Sequence, residues 1–244
     1  MLEKSNDRVE MRVEHYATGA LIHDAARCDA AQAAGWFGLR TSAGRVDGGR
    51  GGVRYVPGER GRTVIRHYHR GGLFARLLGD RFLYSGEQRT RPMREFHVLA
   101  SAHALGLPVP RPVAAQFRRD GLFYRADLAT TAIEPARTLA SLVAHREVAD
   151  FDWQALGRTI RRFHDAGVWH ADLNAHNVLR DDAGTFWLLD FDRGWLGPAR
   201  ERWRRANLAR LERSLRKVGL SAAVEEPERD ALVPLRSGYA GAAR

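Results

Sequence analysis

The stretch from Asp152 to Asp192 restricts the fold of this 244-residue chain more than any other. Trp153, Leu156, Ile160 and Phe163 recur at helical spacing, with Asp152 placed to cap the helix and Gly167 to stop it. Val168-Trp169 is a short apolar stretch, and a polar run follows, His170-Ala171-Asp172-Leu173-Asn174-Ala175-His176-Asn177. Val178-Leu179-Arg180 and Thr185 to Leu189 flank Asp181-Asp182-Ala183-Gly184, the pattern of a hairpin. Asp190-Phe191-Asp192 closes its second strand. The polar loop thus sits between a short strand and a hairpin that ends in two carboxylates.

The other half of the chain has a different character. Residues 1–13 look like a frayed start, and the Ala-rich segment from Ile22 to Phe37 predicts a helix. Glycines crowd the region from Gly44 to Gly61. Within and after it, Val53–Val56 and Thr63–Tyr68 predict two strands joined at Pro57-Gly58-Glu59-Arg60-Gly61. Pro92 suits a helix start, and Met93, Phe96, Leu99 and Ala100 share one face, with Gly106 and Pro108 ending the element. Val109–Val113 and Leu122–Arg125 predict further strands. A last long helix is expected from Pro198 to Val218, and the tail from Ser221 is weakly patterned.

Composition excludes several classes. The single cysteine, Cys28, rules out an intrachain disulfide framework and a multi-cysteine zinc site. Residues 1–14 lack the apolar core of a secretory signal, and no run approaches a membrane span, so a cytosolic or surface-attached protein is expected. The net charge is +10, yet only two of the 39 basic residues are lysines, Lys4 and Lys217. Fixed positive charge is abundant, whereas lysine chemistry is barred from the body of the chain.

The order of helix, strand, polar loop, hairpin and acidic triplet resembles the protein-kinase-like phosphotransferases, whose patterns are H-x-D-L-x-x-x-N and D-F-G. Asn177 lies five positions after Asp172, and Asp190 thirteen after Asn177, as in that family. The resemblance implies an α+β, two-lobed protein-kinase-like fold. Residues 1–128 would form a small antiparallel-sheet lobe with one helix, and 129–244 a compact, mostly helical lobe. It also implies ATP and Mg²⁺ as cofactors. Asp172 would take or orient the acceptor's hydroxyl proton, Asn177 and Asp190 would be oxygen ligands of the metal, and His170 would hold the loop. Gly49, Gly51 and Gly52 stand where a glycine-rich loop covers the phosphates, although they do not match the full G-x-G-x-x-G-x-V pattern. Arg66 takes the place of the family's strand lysine, with Glu95 as its helix partner. Taken without the resemblance, the same loop residues suit Asx turns, the glycines suit a flexible loop, and Arg66 suits a solvated strand position.

Two departures bear on the acceptor. Asp192 replaces the glycine of D-F-G, where it could add a ligand or cap a turn, and the segment after it is too short for a peptide platform. A small-molecule or glycan acceptor is therefore expected. Arg66-His67-Tyr68-His69-Arg70-Gly71-Gly72, together with the loop and Asp190-Phe191-Asp192, resembles the 3-deoxy-D-manno-octulosonic acid (Kdo) kinases of lipopolysaccharide-core synthesis. That resemblance implies phosphorylation of the 4-hydroxyl of a Kdo residue on a lipid A precursor, by a peripheral enzyme on the cytoplasmic face of the bacterial inner membrane. Eleven arginines from Arg50 to Arg94 and nine basic residues from Arg193 to Lys217 suit an acidic glycolipid and an anionic membrane surface. Solvated surface charge is the plain alternative for each of them. Other small-molecule or core-heptose kinases, and a catalytically dead pseudokinase, remain open. No nucleic-acid recognition motif accompanies the charge, and no protein partner is evident.

Overall fold

The computed structural model describes residues 8–38, 53–58, 61–69, 79–148, 151–220 and 232–241. They fall into two compact units: Met1–Ala104 with Pro110–Ala132, and Leu105–Val109 with Ile133–Arg244.

The first unit is an antiparallel sheet. Its strands are β1 (Met11–Tyr16), β2 (Gly19–Asp24), β3 (Val53–Gly58), β4 (Gly61–His67), β5 (Phe82–Leu83), β6 (Pro112–Asp120) and β7 (Phe123–Thr131). They run in the order β1-β2-β6-β7-β4-β3, with β5 pairing onto β7. The β3–β4 hairpin forms where the β-branched and aromatic residues predict it, with Val53 opposite Arg66 and Gly58 opposite Gly61. Strand β7 continues to Thr131, so this unit extends past residue 128.

Two expectations for this unit change. Residues 1–13 are not simply a frayed start, because Met11–Tyr16 form an edge strand. The helix expected from Ile22 to Phe37 is confined to α1 (Ala30–Gly38), and Ile22 lies in β2. Two aspartates divide the segment. Asp24 Oδ1 accepts the N–H groups of Glu10 and Ala26, and Arg111 Nε donates to Asp24 Oδ2 at 2.7 Å. Asp29 Oδ1 then accepts the Gln32 N–H at 2.7 Å and opens the helix. Trp36 and Phe37 of α1 pack into a core with Leu21, Ile65 and Val113. Helix α2 (Arg91–Ala104) lies on β6 and β7 and buries Met93, Phe96, Leu99 and Ala100.

The second unit contains β8 (Ala136–Thr138), α3 (Leu139–Ala144), α4 (Trp153–Asp165), β9 (Val168–Trp169), β10 (Val178–Asp181), β11 (Phe186–Leu188), β12 (Trp195–Leu196), α5 (Glu201–Lys217) and α6 (Leu232–Gly241). Strands β11-β10-β8 form one small antiparallel sheet, and β9 pairs with β12. Asp152 Oδ1 caps α4 by accepting the Ala155 N–H at 2.7 Å. Gly167 ends the helix at φ +72°, where a Cβ would meet the Gly197 carbonyl at 2.4 Å.

The weakly patterned tail contains α6, packed against α4. The two helices cross at glycines. A Cβ on Gly157 would lie 2.1 Å from the Leu235 oxygen, and one on Gly238 would lie 2.1 Å from the Gln154 oxygen. Only residues without a side chain permit that backbone approach.

Candidate active site

In the first unit the site residues lie on β4 and α2. Arg66 Nη2 donates to both carboxylate oxygens of Glu95 at 2.6 Å. Tyr68 Oη donates to Glu95 Oε2 at 2.5 Å, and the Arg66 guanidinium lies 4.7 Å from the centre of the Tyr68 ring. The Glu95 side chain is 1% exposed and that of Arg66 27%. The acid is thus fixed inside the unit, while its arginine reaches partway to solvent. The structure therefore joins Arg66 to Glu95. Gly49, Gly51 and Gly52 lie outside the described residues.

Next to Arg66, His67 bridges two carboxylates, Asp127 at 2.7 Å through Nδ1 and Asp80 at 2.9 Å through Nε2. The hydrogen bond to Asp127 raises its pKa above the ordinary histidine value; burial works against the shift and Asp80 adds to it. The Asp80 carboxyl is held below its usual range, because Arg125 and His67 outweigh its desolvation.

In the second unit the loop from His170 to Asn177 is tied at almost every residue. His170 Nε2 lies 2.7 Å from the Leu189 carbonyl, and Nδ1 receives the Asp172 N–H at 3.1 Å. A carbonyl only accepts and an N–H only donates, so these partners fit the neutral ring protonated at Nε2. Burial, which lowers the His170 pKa, favours the same form. Asn174 Oδ1 accepts the N–H groups of His176 and Asn177, and the side-chain amides of Asn174 and Asn177 both donate to the Asp172 carbonyl, at 3.0 and 2.9 Å. With its NH₂ so engaged, Asn177 turns its amide oxygen the other way.

Phe191 is buried against the His170 ring at 4.7 Å and against Phe163 at 6.0 Å. It fixes the triplet in which Asp190 adopts φ +61°, a backbone state that aspartate tolerates better than most residues. The unit therefore gathers His170, Asp172, Asn177 and Asp190 around one short stretch of backbone. Among the described residues no group of three or more His, Cys, Asp or Glu side chains forms a metal cluster. Asn177 and Asp190 supply one amide and one carboxylate oxygen. Such a set suits a hard cation that keeps water and phosphate oxygens as its remaining ligands.

Helix α5 contributes three contacts that sequence reasoning missed. Asn207 Nδ2 donates to the His170 carbonyl at 2.8 Å, Arg210 Nη1 to Asp172 Oδ1 at 2.8 Å, and the Ala175 N–H to Ser214 Oγ at 3.0 Å. The available signal was Asn207, a polar residue among the apolar positions of an amphipathic helix. Trp195 and Trp203 pack against each other, with Trp169 beside Trp195 and His164 beside Trp203. Burial pushes the His164 pKa down to about 4.

The described helices include none long and apolar enough to cross a membrane. One solved structure, "WaaP in complex with acyl carrier protein", aligns with 78% of this chain and 74% of its own at a TM-score of 0.52 and 17% identity. At that identity the match speaks for the fold alone. Fold and sequence family together define a phosphotransferase of the protein-kinase-like class. The profile of the lipopolysaccharide kinase (Kdo/WaaP) family matches residues 36–231. Among curated relatives, a 3-deoxy-D-manno-octulosonic acid kinase of Xanthomonas campestris pv. campestris (strain B100) is 44% identical over 218 residues, covering 87% of this chain and 86% of that protein. One of the same name from Stenotrophomonas maltophilia (strain K279a) is 45% identical over 195 residues, covering 79% and 77%. The chain belongs to the lipopolysaccharide kinase (Kdo/WaaP) family.

Proposed function

We propose that this enzyme transfers the γ-phosphate of ATP to the 4-hydroxyl of a Kdo residue on a lipid A precursor, working as a peripheral protein on the cytoplasmic face of the inner membrane. The observation that carries the reading is the tied loop, which presents a half-exposed Asp172 carboxylate on a backbone fixed by His170, Asn174 and Asn177. The relatives named as Kdo kinases favour Kdo over a core heptose.

Each residue then has a physical task. Asp172 accepts the proton of the acceptor hydroxyl as the oxygen attacks phosphorus, while its fixed backbone keeps the nucleophile in line. Asn177 and Asp190 would hold Mg²⁺, and its charge would offset that of the phosphate oxygens. Arg66, fixed by Glu95, offers a permanent positive charge to the nucleotide phosphates, a task that needs no proton transfer. The exposed Arg202, Arg205, Arg213, Arg216 and Lys217 of α5 suit the headgroups of an anionic bilayer.

The test is transfer of labelled γ-phosphate from ATP and Mg²⁺ to a Kdo-bearing lipid A precursor, beside the same lipid without Kdo. Label should appear on the Kdo lipid alone, fail on its 4-deoxy analogue, and vanish with Asp172→Ala in a protein that still folds. Label on a heptose-bearing core instead would overturn the Kdo assignment, and near-native turnover by Asp172→Ala would overturn the loop assignment. Cosedimentation with anionic but not zwitterionic vesicles checks the membrane placement.

A further inference from the structure

Helix α5 meets the loop through one face. Asn207, Arg210 and Ser214 are spaced three and four residues apart, so their side chains align along the helix. Asn207 and Ser214 make neutral hydrogen bonds to backbone atoms. The contact between them is different in kind: Arg210 binds the side chain of Asp172, 2.8 Å from Oδ1.

This ion pair is poorly placed to stabilise the fold. The Arg210 and Asp172 side chains are 49% and 53% exposed, a depth at which such pairs contribute little to stability. It is well placed to act on the reaction. Among the described residues Arg210 engages Oδ1 and nothing engages Oδ2, so the guanidinium restrains the rotation of the carboxylate and leaves its second oxygen open to a substrate. It also offsets the negative charge that Asp172 would otherwise present to an anionic acceptor. No lysine is available in the loop for either task.

We infer that Arg210 is a positioning residue for phosphoryl transfer: it orients the Asp172 carboxylate toward the acceptor hydroxyl and screens its charge from a carboxylate-bearing acceptor. The inference rests on the reading of Asp172 as the group that takes the hydroxyl proton.

The experiment compares the full-length wild type with Arg210→Ala, Arg210→Lys and Asp172→Ala, using ATP, Mg²⁺ and the Kdo-bearing lipid A precursor. Arg210→Ala should lower kcat by about a hundred-fold, the scale of a misaligned reacting group. Its KM for ATP and its thermal midpoint should stay at wild-type values. Arg210→Lys should recover part of the rate, because it restores the charge without the fork. Native kcat in Arg210→Ala would overturn the inference. So would a fall in kcat that tracks a lowered thermal midpoint and is not relieved by lysine. Near-native turnover by Asp172→Ala would instead remove the reading beneath it, and so separates the two failures.

Discussion

Both units hold an arginine against a carboxylate, and they do so at opposite depths. In the first, Arg66 binds both oxygens of a Glu95 that is 1% exposed, inside a unit that also buries the Arg111–Asp24 pair. In the second, Arg210 and Asp172 meet in the open, while neutral groups fix the backbone beneath them: His170, Asn174, Asn177, Asn207 and Ser214. A charge that must stay in place is held by burying its partner. The Asp172 carboxylate, proposed above to meet the substrate, is held by the backbone it stands on and stays half-exposed.

The two histidines of highest interest sharpen that contrast, and the larger effect comes first. His164 is driven to about 4 by burial, so it is neutral in the folded chain. Its contribution to stability is present above the unfolded value near 6.5 and is lost as pH falls from there through about 4. The expected loss is about 3 kcal/mol. His67 is raised, so its contribution is complete below the unfolded value and fades as pH rises through its higher folded value. Hydrogen exchange should therefore show the second unit loosening on the acid side and the first on the alkaline side. A common direction in both units would break the contrast.

Glu95→Ala comes next. It leaves Arg66 beside a desolvated gap, and removing one member of a buried pair costs roughly 3 kcal/mol or more. Because Arg66 is 27% exposed and can turn to water, about 2 kcal/mol is expected in denaturant unfolding. A loss below about 0.5 kcal/mol would mean that the pair does not anchor Arg66. Asn207→Ala should cost about 1–2 kcal/mol, since it orphans the His170 carbonyl, and should lower kcat as the loop loosens. The smallest shift belongs to Asp172→Asn, under about 0.5 kcal/mol. A stability loss matching that of Glu95→Ala would erase the difference in depth on which the comparison rests.

Local signals made much of this legible in the sequence. The cap at Asp152, the stop at Gly167, and the order of loop, hairpin and triplet are short-range features, and each appears where its chemistry predicts. The Arg66–Glu95 pair was legible because strand and helix were both recognisable and a family pattern joined them. The β1–β2 hairpin was not. Its inner strand, Gly19–Asp24, carries a short unbroken apolar run, Ala20-Leu21-Ile22, that periodicity alone does not tell from a buried helix, and the segment reads as the start of one. Helix α6 was hidden by Pro234, Gly238 and Gly241, residues that disfavour helices, and the reason for Gly238 lies on another helix, at the Gln154 backbone. The same holds for Arg210, whose purpose is visible only once a helix 38 residues downstream of Asp172 lies against it.

In the nucleotide-binding role proposed for it, the arginine at position 66 also decides which reagents can see this enzyme. Acylating nucleotides mark ATP sites by capturing a phosphate-binding amine, and a guanidinium that stays protonated offers no such nucleophile. Among the described residues the amine left to react is Lys217, exposed near the end of α5. A survey that counts kinases by lysine acylation would then depend, among the described residues, on Lys217. Dicarbonyl reagents, which condense with guanidinium groups, are the matching probe, and protection of Arg66 by ATP would be their readout.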